Sequence, residues 1–253
     1  MSRNSLLKKL LAPSVRVARQ PVDRLIATLS TPRRLWARRR ATEVAFWKRW
    51  VQTRGDRWES DWIDRLRPDS ELQPPIADLV SRVPSSEVSI LDVGAGPLTI
   101  LGKCHPTKRL SITAIDPLAA EYDRILSDAG IAPPVRTVYG MGEILTEQFG
   151  PDTFDIAYAQ NALDHSFDPV EAIRGMTIVA RHFVVLCHER NEAENERYRG
   201  MHNWNLDIQD GRFVIWNLRE RHDVEARVGR RPDIREDVRG WITVTFDLRD
   251  DAQ

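Results

Sequence analysis

The chain has 253 residues, 42% hydrophobic and 29% charged, and its 37 basic and 37 acidic side chains give a net charge of +0. That is enough apolar material for one ordinary domain with extensions, and the balanced charge provides no general attraction for nucleic acid. Cys104 and Cys187 lie far apart, with no metal-ligand or redox spacing; no apolar stretch approaches the roughly 18 residues of a membrane span, and no apolar signal region is present, so the expectation is a cytoplasmic protein with buried free thiols.

Charge is unevenly placed. Residues 1–40 carry eleven basic side chains, from Arg3 to Arg40, against Asp23 alone, and are broken by Pro13, Pro21 and Pro32. They read as a basic arm, either a partly disordered tail or an amphipathic segment that touches an acidic membrane surface or a partner. Residues 41–84 read as a helical cap. Phe46, Trp47, Trp50 and Val51 form an apolar stripe at helical spacing, and Trp58, Trp62, Ile63 and Leu66 repeat it after Gly55. Such a pair of helices either packs on the main domain or covers a site with its tryptophans. A short helix over Ile76–Val83 leads into the next segment.

From Val88 strands alternate with helices, the pattern of a doubly wound, mostly parallel sheet over residues 85–253. The predicted strands are 88–93, 110–115, 135–139, 154–159 and 182–187, with two more at 212–216 and 241–248. Helices are predicted after the turn at 94–97, over 118–129, and after Asp168-Pro169, where Asp caps and Pro opens the first turn.

The first strand ends in Asp92-Val93-Gly94-Ala95-Gly96-Pro97. Two glycines one residue apart let backbone lie against a ligand at the carboxyl end of a strand, where doubly wound folds hold nucleotides. Asp116-Pro117, about 20 residues on at the end of the second strand, places a carboxylate where ribose hydroxyls are bound. A dinucleotide fingerprint would have a third glycine and free N–H donors at the helix start. Here Pro97 removes a donor and the third glycine is missing, so the turn suits a cofactor without a pyrophosphate.

The blocks Ile-Leu-Asp-Val-Gly-Ala-Gly-Pro, Ala-Ile-Asp-Pro and Phe-Asp-Ile-Ala-Tyr-Ala-Gln-Asn-Ala-Leu-Asp-His, in this order and spacing, resemble the class I S-adenosylmethionine-dependent methyltransferases over about Val88–Cys187. The resemblance implies their Rossmann-like, seven-stranded sheet and S-adenosylmethionine as cofactor. It implies that Asp92, Gly94 and Gly96 shape the methionine end of the pocket and that Asp116, with Pro117, binds the ribose. Met141, with Gly142 and Glu143, would flank the adenine. Gln160 and Asn161, in the loop that runs to His165, would lie beside the methyl group.

Transfer from a sulfonium needs chiefly positioning, and a hydroxyl acceptor adds a general base. The candidates are His165, Asp164 and His188, with Glu189 beside the last. The stretch Tyr198–Asn205 sets Tyr198, His202 and Trp204 beside the amides of Asn203 and Asn205 after the fifth strand, which suits a saccharide or other polyhydroxylated ligand, although such a loop can also simply pack under the cap. The run Glu189, Glu192, Glu194, Glu196 reads as a solvated helix face, because no His/Asp triad at ligand spacing accompanies it, and no metal site is expected. The expectation is an O-methyltransferase acting on a saccharide, glycan precursor or other small polar molecule. The rivals are a nicotinamide-dependent oxidoreductase, a non-catalytic scaffold with the same fold, and a nucleic-acid methyltransferase that uses the basic arm.

Overall fold

The computed structural model describes Leu25 and residues 28–249. Most of the basic arm, and with it the expected membrane or partner contact, lies outside the described residues. The first long helix, α1 (Pro32–Gln52), starts where Thr31 caps it by accepting from the Arg34 N–H at 3.4 Å and Pro32 occupies the first turn. It passes unbroken through residue 40, where the sequence suggests a junction, because nothing between Pro32 and Gln52 interrupts a helix. Helices α2 (Glu59–Leu66) and α3 (Pro74–Arg82) follow.

The domain is built on seven strands in the order β3-β2-β1-β4-β5-β10-β9, comprising β1 (Glu87–Val93), β2 (Arg109–Asp116), β3 (Thr137–Tyr139), β4 (Phe154–Gln160), β5 (Ala180–Glu189), β9 (Asp233–Glu236) and β10 (Trp241–Asp247). Strands β1 to β5 run parallel, and β10 is antiparallel to both its neighbours. This is the doubly wound, mostly parallel seven-stranded fold that the sequence predicts. The central strands are continuous apolar runs because both faces are covered; β4 is buried over six of its seven residues. On one face α6 (Pro169–Val179), which follows the single turn α5 (Leu145–Gln148) and β4, packs Ala172, Ile173 and Met176 against Leu91, Val93 and Ala157; on the other α3 sets Ile76, Leu79 and Val80 against Ile90, Ile156 and Phe183.

Three differences from the sequence expectation have physical causes. No helix follows the glycine turn: the segment from Gly94 to Lys108 is irregular, with Thr99 spending its hydroxyl on Asp92 and on the Leu101 N–H rather than opening a helix. The space is filled instead by the N-terminal helices, Trp50, Val51 and Trp62 packing with Leu98, and with Leu118 and Tyr122 at α4 (Ala119–Asp128). Cys104 is exposed and Cys187 only partly buried, so neither is a fully buried thiol. Finally, a second, three-stranded sheet of β6 (Asn205–Gln209), β7 (Arg212–Trp216) and β8 (Arg221–Asp223) sits on the domain; only β7 is evident in the sequence. Among the described residues no helix is long and apolar enough to cross a membrane.

Candidate functional site

A cavity of about 690 Å³ opens at the carboxyl ends of the parallel strands. Its floor is the turn after β1. Gly94 and Gly96 have φ of +75° and +66°, where a side chain is strained. A Cβ on Gly94 would stand 2.4 Å from the Ala162 Cβ, and one on Gly96 2.9 Å from Cζ2 of Trp47. Both glycines therefore serve close approach, one to the loop after β4 and the other to the cap helix.

Asp92 and Asp116 end the neighbouring strands β1 and β2. Asp116 accepts from the backbone N–H of Gly96 at 3.2 Å and of Leu118 at 2.9 Å, which aims its carboxylate across the turn. Burial raises its pKa to about 7, the two N–H donors only partly offsetting the cost and Glu43 adding to it. Burial likewise raises Asp92 to about 6, against a 2.5 Å hydrogen bond from Thr99. Each carboxylate keeps acceptor capacity on the cavity side, since a carboxylate has about four lone-pair sites.

Pro117, Met141 and Gly142 line the cavity beside Asp116. Glu143 also lines it, but its Oε1 is committed to the Phe167 and Asp168 N–H groups at 2.9 and 3.4 Å. Burial raises the Glu143 carboxyl. Gln160 accepts a short hydrogen bond from the Tyr158 hydroxyl. Asn161, at φ +45°, ties the ends of β4 and β5 together: its N–H donates to the Cys187 carbonyl and its Oδ1 accepts from the Glu189 N–H.

The far end of the cavity is built round Asp164, which is fully buried. His188 Nε2 lies 3.0 Å from its Oδ1 and His202 Nδ1 2.6 Å from its Oδ2. His165 Nε2 stands 3.5 Å from the same Oδ2 and 3.3 Å from His202 Nδ1. Burial opposes ionisation of Asp164, but the charges of His165 and His188 and the hydrogen bonds from His188 and His202 hold it well below the usual carboxylate range. Burial disfavours the charged form of His202, but Asp164 prevails and lifts it to about 9; His188 is raised by the same partner. Glu192 is partly buried, and desolvation, with the nearby Asp164 charge, pushes its carboxyl up to about 7.

The candidate residues are thus sorted. His165 and His202 face the cavity. Asp164 and His188 do not line it and stand behind the two imidazoles. Tyr198 and Trp204 are buried away from it: the Tyr198 hydroxyl accepts from Asn205 at 2.9 Å and the Trp204 indole N–H donates to the Ser166 carbonyl at 3.1 Å. These two aromatics hold the loop in place and, against the sequence expectation, do not line the cavity. Glu192 is no solvated face residue either, since α7 (Glu192–Asn195) turns it toward His188 and His202.

The cap contributes residues the sequence did not single out. Glu43 reaches His165 Nδ1 at 3.7 Å and accepts from the Trp47 indole at 2.8 Å. The Glu43–Trp47 spacing of one helical turn is legible in the sequence; the partner His165 is not. Trp36, Phe46, Trp47 and Trp58 all line the cavity, so the cap both packs and covers. The first half of α1 is held on two sides, by Arg40–Glu121 on α4 and by Arg39–Asn203 and Leu35 against Tyr198 on the 193–203 segment.

No family model and no curated protein matches the chain in sequence. Solved structures similar in fold include the CurJ carbon methyltransferase, at 15% identity over 68% of this chain and 52% of that one, with a TM-score of 0.47. An S-adenosylmethionine-dependent methyltransferase of Thermotoga maritima is 12% identical over 81% and 95% of the two chains (TM-score 0.48), and one of Clostridium acetobutylicum 13% identical over 69% and 89% (TM-score 0.42). The chain thus spans about half the length of the first and nearly all of the other two.

Proposed function

We propose that the chain is an S-adenosylmethionine-dependent methyltransferase acting on a hydroxyl of a small polar acceptor, of which a saccharide or glycan precursor is the favoured class. One observation carries this reading: a single cavity has a glycine cradle with two strand-end carboxylates at one end and a group of imidazoles at the other. The cradle fits a nucleoside with an amino-acid tail. The turn at Gly94 and Gly96, closed by Ala162 and Trp47, forms the floor for the nucleoside, Asp116 accepts from vicinal ribose hydroxyls, and Asp92 faces the ammonium of the tail. Pro97 removes one N–H donor, and those of Gly94, Ala95 and Gly96 are taken by Ile115 and Asp116, which disfavours a pyrophosphate and hence a dinucleotide.

The cofactor supplies an activated methyl group; the protein supplies position and a route for the acceptor proton. Gln160 and Asn161 fix the loop beside the methyl group, and Ala162 against Gly94 sets its height. His165 and His202 present imidazole edges to the acceptor end, and Asp164 orients both. With Tyr198 and Trp204 turned inward, a sugar ring would rest on the tryptophans of the cap, Trp36 and Trp58, and on Trp241 opposite.

Calorimetry with S-adenosylhomocysteine tests the cofactor half, and transfer of a labelled methyl group to a panel of mono- and oligosaccharides and to cell extracts tests the acceptor half. Binding of S-adenosylhomocysteine without label in any hydroxylated product would leave a cofactor-binding scaffold. Binding of NAD in its place would return the oxidoreductase, and label in RNA or DNA the nucleic-acid enzyme.

A further inference from the structure

We infer that Asp164, His165 and His202 form a binding site for a divalent first-row transition-metal ion at the acceptor end of the cavity. The three candidate ligand atoms form a tight triangle. Asp164 Oδ2 and His202 Nδ1 are 2.6 Å apart, Asp164 Oδ2 and His165 Nε2 3.5 Å, and the two imidazole nitrogens 3.3 Å. Two ligands on one ion at about 2.1 Å stand roughly 3–3.4 Å apart at octahedral to tetrahedral angles. A point about 2 Å from all three atoms lies just off the plane of the triangle, so an ion fits with small adjustments of the closest pair. Two imidazoles and one carboxylate on one side of an ion, with the other side open, is the donor set of iron, manganese, cobalt and zinc sites.

The surroundings match what metal ligands require. A ligating histidine donates its other ring N–H to an oxygen, which fixes its tautomer. His165 has Glu43 Oε2 at 3.7 Å from Nδ1, a charge contact short of a hydrogen bond, while its Nε2 points into the cluster. Asp164 is held from behind by His188, whose Nδ1 donates to the Glu189 carbonyl at 2.7 Å. One proton on His202 Nδ1 can serve a single acceptor at a time, yet both Asp164 Oδ2 and His165 Nε2 converge on it. A metal ion serves all three.

A second carboxylate waits alongside. Glu192 Oε1 is 4.0 Å from His202 Nδ1, and its Oε2 is buried with no hydrogen-bond partner. A buried carboxyl oxygen without a donor is costly; the His188 imidazole is 3.9 Å from this one, beyond hydrogen-bond reach, and a metal ion would be the closer counter-charge. His165, His202 and Glu192 all line the cavity, so the remaining coordination positions face the space for the acceptor, as in catalytic rather than structural metal sites. An acceptor oxygen bound there would lose its proton more readily than in water. None of the three ligands is adjacent to the glycine cradle, and the site does not rest on the methyl-transfer reading.

The test is titration of the metal-stripped full chain with Co²⁺, read by its visible d–d absorption and by metal analysis after equilibrium dialysis against Co²⁺, Zn²⁺ and Mn²⁺. The expected result is one ion per chain, with at least tenfold weaker binding in His165→Ala and His202→Ala and unchanged binding in His105→Ala, which alters a loop histidine beside α3. Circular dichroism and S-adenosylhomocysteine calorimetry on each variant show that it is folded and keep the cofactor half separate. Folded wild-type chain without a stoichiometric ion or a d–d spectrum would overturn the site, leaving a proton-bridged cluster. So would binding that both histidine variants retain.

Discussion

The indole of Trp47 lies directly over Gly96, so that a single added carbon on the glycine would stand 2.9 Å from the ring. The cap helix is thereby keyed to the turn that carries the carboxyl end of β1. Gly96→Ala meets two penalties, the contact with Trp47 and a left-handed backbone at +66°, which costs about 1–2 kcal/mol for a residue with a Cβ. Urea unfolding should show a loss of at least that size. In a Trp47→Ala background the steric part disappears and only the backbone part remains, so the two substitutions should be non-additive. Additive losses would mean that the ring and the glycine are not in contact in solution.

Asp116 is the group on which the cofactor reading depends most. Asp116→Ala should weaken S-adenosylhomocysteine binding by about 2 kcal/mol, the scale of hydrogen bonds to a charged group, or roughly thirtyfold in Kd. Asp116→Asn, which keeps one acceptor for the Gly96 or Leu118 N–H, should bind with intermediate affinity. Unchanged calorimetric affinity in both variants would remove Asp116 from the ribose site.

The sign of the pH dependence follows from the same carboxylates. Burial raises Asp116 to about 7 and Asp92 to about 6, both from 3.8. Between about pH 4 and 7 the unfolded chain releases these protons while the folded chain keeps them. The contribution of the pair to stability is therefore lost as pH rises through that window, and the loss is complete above about 7. Ribose hydroxyls need an ionised acceptor, so cofactor affinity should run the other way, rising from pH 6 to pH 8 with net proton release. Calorimetry in two buffers of different ionisation enthalpy measures that release. An affinity flat across the range would mean that the two carboxylates are already ionised when the pocket is free.

How much of this is legible in the sequence depends on the range over which each residue finds its partners. The glycine turn and Asp116 are local: each is set by a strand and the residues that end it, so spacing alone places them at one end of a sheet. The acceptor end is not local. Asp164 meets His188 across two parallel strands, His202 through a loop, and Glu43, by way of His165, from a helix more than a hundred residues earlier. No periodicity encodes these meetings. The composition of the 198–205 segment does flag it, but composition cannot tell which of His202, Tyr198 and Trp204 faces inward. Burial decides that: the two large aromatics take the core and the histidine is left at the cavity. The missing helix after Gly96 has a similar cause. Thr99 prefers Asp92, and the tryptophans of the cap, far off in sequence, take the space a helix would fill.

A buried network far from the cavity offers a control for all of these tests. Asp155, at the start of β4, accepts from both the N–H and the hydroxyl of Ser89 at 2.8 Å. Asp155→Ala leaves the partly buried Ser89 N–H without its acceptor, and the stability loss should be about 1–3 kcal/mol. S-adenosylhomocysteine affinity, measured well below the unfolding midpoint, should stay at the wild-type value. A large change in that affinity would mean that the carboxyl-end geometry is coupled through β4 and that the site variants report on stability as well as on contact.

The sharpest contrast lies within the loop after β5. His202 faces the cavity, whereas Tyr198, four residues earlier, is buried with its hydroxyl on Asn205. His202→Ala should lower turnover by about two to four orders of magnitude, the range for loss of an acid–base or orienting group, while S-adenosylhomocysteine affinity changes by less than a factor of two. Tyr198→Phe removes one buried hydrogen bond and should cost about 1 kcal/mol of stability, with kcat and the acceptor KM unaltered. Tracking kcat, KM and the unfolding midpoint for both variants separates the roles. A raised acceptor KM in Tyr198→Phe, at unchanged stability, would put the phenol back in contact with the acceptor and displace His202 from its place as the residue of this loop that meets it.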